Sequence, residues 1–241
     1  VQNDAPIVLG KIPTSGNFDV DYSRQFEGNM DELIIYDRAL TSDEVETLYL
    51  LGEVPNPVFH VTFDSVYEIC THQEAGTPAI LRCEEYYLSE MPTLDEGKSG
   101  SAIEFDKYML EPNSIVTFHN DRYINAPILS SSSQSISLWI KPTSYYTEQN
   151  DNLIGVKGIL FKAPDTGLSR EIGLELDEGF IIYSVSDGNQ LHKVKSSKRV
   201  TSELWTHIVI IKEQENGITK LTLYQDKLAK SLTLSQSELS F

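Results

Sequence analysis

Positive charge is scarce in this chain: 19 lysines and arginines stand against 36 aspartates and glutamates, a formal net charge of −17. Such a surface repels the phosphates of nucleic acid and the anionic face of a membrane, which argues against nucleic-acid binding. Long apolar runs are missing as well. No stretch approaches the roughly 20 apolar residues that span a bilayer, so no membrane insertion is expected. The start VQNDAPIVLG lacks the charged beginning and apolar middle of a signal peptide, which reads as a soluble, already processed chain. There is no CxxC, and the five histidines are scattered without ligand spacing, against a zinc or redox centre. No serine sits in a G-x-S-x-G context and no N-x-S/T sequon occurs, so neither a serine nucleophile nor N-glycosylation is indicated.

Only two cysteines are present, Cys70 and Cys83. A disulfide closing a loop of that length stabilises by about 3 kcal/mol in the chain-entropy view, and it implies an oxidising, extracellular setting. The alternative is a pair of buried free thiols acting as small apolar residues.

With 241 residues, 40% of them hydrophobic, the chain is long enough to close one large sandwich or two smaller units around a core. Its pattern is almost wholly β. The stretches SISLWIK, GFIIYSVS, WTHIVIIK and ITKLTLYQ are rich in β-branched and aromatic residues, and turn signals separate them. Asp187-Gly188 and Asn216-Gly217 supply the positive-φ positions of hairpin turns. In SISLWIK, Ile136, Leu138 and Ile140 share one face while Ser137 and Trp139 share the other, as in an antiparallel sheet with one side in the core. One segment reads as a helix. Thr41 caps it, Glu44 completes a capping box, Val45, Leu48 and Tyr49 share a face, and Gly52 ends it. Pro55 and Pro57 then stiffen an extended connector.

The run from Phe26 to Tyr49, FEGNMDELIIYDRALTSDEVETLY, resembles the closing strand and helix of laminin G-like, concanavalin A-type jelly rolls. Phe26, Gly28, Asp31, Glu32, Ile35, Tyr36, Arg38, Ala39, Leu40, Glu44, Leu48 and Tyr49 carry the likeness. VFHVTFD, GKSGSAIEFDK, SISLWIKP and LWTHIVIIKEQENGITKLTLYQDK are similar to the rest of that fold in its usual order, although Lys227 stands where glycine is usual. The resemblance implies an all-β, two-sheet antiparallel jelly-roll sandwich with one short helix. Its order is rotated: residues 1–52 correspond to the end of the fold, 53–57 to a connector, and 58–241 to its beginning and middle.

An N-terminal piece of about 50 residues cannot bury a sandwich core alone, and the larger piece would lack the strand beside VFHVTFD. Three arrangements answer that need: one permuted sandwich, a window cut from a tandem array, or subunits that exchange strands into a fibre. In the first and third, Met30 to Tyr36 pairs with Val58 to Phe63.

Function has to come from sites, because a jelly roll hosts many activities. GLELDEGF is reminiscent of the E-x-D-x-x-E strand of jelly-roll β-glucanases, but Phe180 occupies the third position and Glu178 faces away from Glu175. The chain is therefore read as non-enzymatic, with no catalytic residue. Calcium is the expected cofactor. Asp31 and Asp64 would be near neighbours if their strands pair, with Asp106 as a third carboxylate, against the alternative that these aspartates end strands and face water. Tyr145, Tyr146 and Trp139 are the aromatics to expect in a glycan site, since stacking on sugars needs such faces. Two functions follow. One is an extracellular or cell-surface structural and adhesive module that self-associates or binds proteins, as a surface-protein repeat or a strand-complemented filament subunit. The other is a calcium-dependent lectin-like module recognising carbohydrate or protein.

Overall fold

A computed structural model describes residues 7–10, 26–64, 93–105, 116–118, 133–143, 156–162, 171–186 and 188–235. Among them the strands are β1 (Ile7–Leu9), β2 (Gly28–Tyr36), β3 (Phe59–Val61), β4 (Thr93–Glu96), β5 (Ser101–Phe105), β6 (Val116–Phe118), β7 (Gln134–Pro142), β8 (Lys157–Lys162), β9 (Ile172–Asp177), β10 (Phe180–Ser186), β11 (Leu191–Arg199), β12 (Thr206–Glu215), β13 (Ile218–Gln225) and β14 (Leu228–Ser235). One helix, α1, spans Ser42–Leu51.

The strands form two sheets. The first runs β11-β10-β9-β8-β1-β6; the second runs β14-β13-β12-β7-β2-β5-β4, with β3 also paired to β2. Neighbouring strands are antiparallel throughout. Two-residue alternation explains the layering. Ile136, Leu138 and Ile140 of β7, with Ile208 and Ile210 of β12, enter the core between the sheets. The fold is the expected two-sheet antiparallel sandwich of the jelly-roll kind.

Among the described residues, the two strands from the first 52 are built into sheets whose other members come from beyond residue 57. β1 lies between β6 and β8. β2 lies between β7 on one side and β5 and β3 on the other, and its pairs with β3 are Leu33↔Val61, Ile34↔His60 and Ile35↔Phe59. Within this chain, β3 of VFHVTFD thus has β2 as its hydrogen-bonded neighbour.

Helix α1 packs on the outer face of the larger sheet. Thr41 caps it reciprocally with Glu44, and Gly52 closes it at φ 80°, its N–H bonded to the Leu48 carbonyl. Arg38 donates two hydrogen bonds to Glu44, at 2.9 and 2.7 Å, which holds that carboxyl down at about 2. Val45 and Leu48 cover Ile34, Tyr36, Val209 and Ile211, a second and smaller apolar layer.

The hairpin turns follow their residues. Asn216 and Gly217 adopt φ of 51° and 75°, and Glu178 and Gly179 adopt 49° and 80°. At the β13–β14 turn Asp226 takes the left-handed position at φ 55°, so Lys227 needs no glycine there.

Candidate functional site: a glycine turn gripped by two aspartates

Three sequence candidates, Asp31 of β2, Asp64 beyond β3 and Trp139 of β7, reach the β4–β5 turn. The site begins with a defect in β2. Asp31 pairs with Trp139 but Ile34 pairs with Ser137, so β2 carries one more residue than β7 across this interval, and Glu32 takes φ 51°. This is a β-bulge, a device that re-aims side chains.

Asp31 is fully buried. Its Oδ1 accepts the Glu32 N–H at 2.8 Å, and its Oδ2 accepts the N–H groups of Lys98 and Ser99 at 2.8 and 3.0 Å. Asp64, just beyond β3, accepts the Ser101 N–H on Oδ1 at 2.8 Å. Two carboxylates from different strands thus hold one turn, Gly97 to Ser101, by its backbone. The turn's own Gly97 N–H to Gly100 carbonyl bond, 3.0 Å, closes it.

The glycines are needed for this approach. A Cβ at Gly97 would lie 2.8 Å from Asp31 Oδ2, and one at Gly100 would overlap Asp64 Oδ1 at a backbone φ of 62°. Burial pushes the Asp31 carboxyl up to about 7, with the Glu32 charge adding to the rise and the three N–H donors opposing it. Next to it, His60 Nε2 lies 2.6 Å from Glu32 Oε2.

The turn also reaches an aromatic cluster. Lys98 Nζ lies 4.6 Å from the centroid of the Trp139 ring, Tyr49 stacks on Trp139 at 5.5 Å, and His207 lies 4.7 Å from it. His207 Nε2 is 2.8 Å from Ser137 Oγ, and its Nδ1 has no hydrogen-bond partner. Burial pushes the imidazole down to about 3, and the Lys98 cation adds to that shift. Lys227 sits over Tyr49 and pairs with Glu46 at 2.6 Å.

Trp139 does lie on the outer face, as the alternation requires, but it is only 6% exposed, covered by Tyr49 and Lys98. Asp106, Tyr145, Tyr146, Cys70 and Cys83 lie outside the described residues. Among the described residues no three carboxylate, imidazole or thiol side chains gather as metal ligands. The donor set of Asp31 suits N–H groups better than calcium, because both of its oxygens already accept backbone hydrogen bonds.

Sequence reasoning missed the bulge, since no glycine marks it, and it missed the Ser137–His207 contact. The shared parity of Ser137 and Trp139 and the likeness of LWTHIVI to a family strand were the available signals.

One comparison decides the family. The family model described as the concanavalin A-like lectin/glucanases superfamily matches residues 117–237, half of the chain, from within β6 to beyond β14. The chain belongs to that superfamily. Its signature-like run from Phe26 to Tyr49 falls outside the matched residues, yet β2 from that run is hydrogen-bonded to β7 inside them. Among curated proteins and solved structures nothing matches. Membership in the superfamily supports a lectin-like or adhesive module in general.

Proposed function

We propose that the chain is a non-catalytic, extracellular recognition and adhesion module of the lectin-like kind, closed as one sandwich whose strand order is rotated relative to the superfamily. The superfamily includes both lectins and glucanases, and one observation supports the lectin side. The strand GLELDEGF is the nearest approach to a glucanase acid pair, and its Glu175 is only 4% exposed, with the Lys193 ammonium 4.0 Å away. A general acid or nucleophile has to reach a glycosidic bond, with its partner carboxyl about 5 Å off in a retaining enzyme. Glu178, the next glutamate, is instead a left-handed turn residue.

The pairing of β2 with β3, β5 and β7 in one chain supports the permuted arrangement over strand exchange into a filament. Its adhesive role is then one of binding other molecules, proteins or glycans, rather than lending strands. The expected outcome is a monomer by light scattering, a specific hit on a glycan array or a protein-binding screen, and no reducing sugar released from β-glucans. Hydrolysis of a glucan overturns the non-catalytic reading; a concentration-dependent polymer restores the filament.

A further inference from the structure

On one side of the sandwich both sheets end in a strand with a single partner. Among the described residues, β14 closes the larger sheet and bonds to β13 alone, and β11 closes the smaller sheet and bonds to β10 alone. β11 packs against β13 and β14, so the two edges lie one above the other. They are finished differently. β11 is interrupted by a register shift opposite Phe180 and Ile182 and carries Lys193, Lys195, Lys198 and Arg199, devices that keep an edge from pairing. β14 keeps register with β13 from Leu228 to Ser235 without a bulge, and its one charged residue is Lys230.

The two-residue turn at Asp226 and Lys227 makes Gln225 and Leu228 a hydrogen-bonded pair, and the ladder alternates from there. Leu228, Lys230, Leu232 and Leu234 therefore direct their backbone groups to β13, while Ala229, Ser231 and Thr233 turn theirs to the open side. All three of the latter are exposed, so this edge meets solvent. A run of exposed N–H and C=O groups on a regular, nearly uncharged strand is a template for one more strand.

Charge decides which strand fits. β11 and β14 together hold five cations, the four above and Lys230, and no acid, in a chain whose net charge is −17. Phe180 organises two of them, with Lys195 Nζ 4.2 Å and Arg199 Cζ 5.2 Å from its ring centroid. Lys193 lies 4.0 Å from Glu175, but Lys195, Lys198 and Lys230 have no carboxylate partner among the described residues. A second copy docking edge to edge would bring two cationic ends together, whereas an acidic segment is repelled by the rest of the surface and drawn here. We propose that β14 is the docking edge for an extended acidic segment of a partner protein, added as a further strand, with its carboxylates beside Lys230 and the cationic edge of β11. The proposal rests on the recognition reading above and names the partner class for it.

The test is a titration of the isotope-labelled chain with a peptide of β14's length alternating threonine and glutamate, against versions with glutamine or lysine for glutamate, read at the backbone amides. The acidic peptide is expected to shift the amides of Ala229, Ser231 and Thr233, to bind at least tenfold more tightly than the glutamine version, and to weaken as salt rises. The lysine version should not bind. Ser231→Pro, which removes an outward N–H and spares the β13 ladder, and Lys230→Glu should each lose at least tenfold in affinity; melting curves establish that each folds. If the proline disrupts the strand, Lys230→Glu and the map of shifted amides decide. Three peptides binding alike, none binding, shifts centred away from β14, or unchanged affinity in a folded variant overturns the proposal. So does a concentration-dependent dimer with protected β14 amides, which gives the edge to a second copy. A glycan-array or protein-screen hit with no shift in β14 removes the docking edge alone; glucan hydrolysis removes the recognition reading whatever the peptides do.

Discussion

The larger sheet is apolar on both faces, but the two faces achieve it differently. Toward the other sheet, the strands contribute by alternation, interrupted in β2 by its bulge between Met30 and Leu33, and side chains such as Phe105 and Ile140 are wholly enclosed. On the outer face the apolar layer is a patch under a single helix, and its edge gives way to Trp139, Tyr49, His207 and Lys98. The inner layer defines the fold; the outer one depends on ten residues of helix and on a turn pinned by carboxylates. Substitutions on the two faces should therefore differ in size and in reach.

The largest loss is expected from Phe105→Ala, about 4 kcal/mol of global stability, because it removes a ring that meets Phe26 edge-on in the main core. Chemical denaturation followed by tryptophan fluorescence measures it. Leu48→Ala, beneath α1, should cost about 3 kcal/mol, with early loss of helical circular dichroism. Equal, fully cooperative losses in the two variants would erase the proposed distinction. Gly100→Ala should cost about 1–3 kcal/mol, from a strained φ and the displacement of Asp64, and hydrogen exchange should quicken at Lys98, Ser99 and Ser101.

The smallest effect is in the pH profile, where two buried groups oppose each other. His207 has its pKa drawn from 6.5 to about 3, so between those values the unfolded chain holds the extra proton and stability falls as pH falls. Asp31 has its pKa raised from 3.8 to about 7, so between those values the folded chain holds the extra proton and stability falls as pH rises. From about pH 4 to 6.5 the two slopes cancel. Asp31→Asn should leave the His207 slope alone, so that its melting temperature climbs with pH across that window while that of the parent changes less. Parallel profiles would show that one of the two groups does not titrate as its burial implies.

Much of the inner layer was legible in the sequence, because a period of two in SISLWIK or WTHIVIIK states which side chains meet the core. The capping box at Thr41 and Glu44 and the turn at Asn216 and Gly217 were legible for the same reason: each is local, and its residues alone specify the backbone. The pairing of β2 with β3 came from the order of recognisable segments. The outer site was less legible. Its bulge sits at Asp31 and Glu32, residues that carry no sign of a positive φ, and the carboxylate's partners are backbone groups 67 and 68 residues away. Asp31 and Asp64 both accept N–H groups of the β4–β5 turn, partners that no local pattern announces. Parity puts Lys212 on the inward row of Ile208 and Ile210 and Lys162 on that of Leu160, but a lysine's type gives no warning that Lys162 is fully buried.

The connector at 53–57 has a consequence for how this chain can be handled. The elements that precede it, β1, β2 and α1, are held to the remainder by sheet pairing and apolar packing. A chain opened within that connector should therefore yield two pieces that find each other in solution, giving a split pair whose reassembly reports on proximity of whatever is fused to each half.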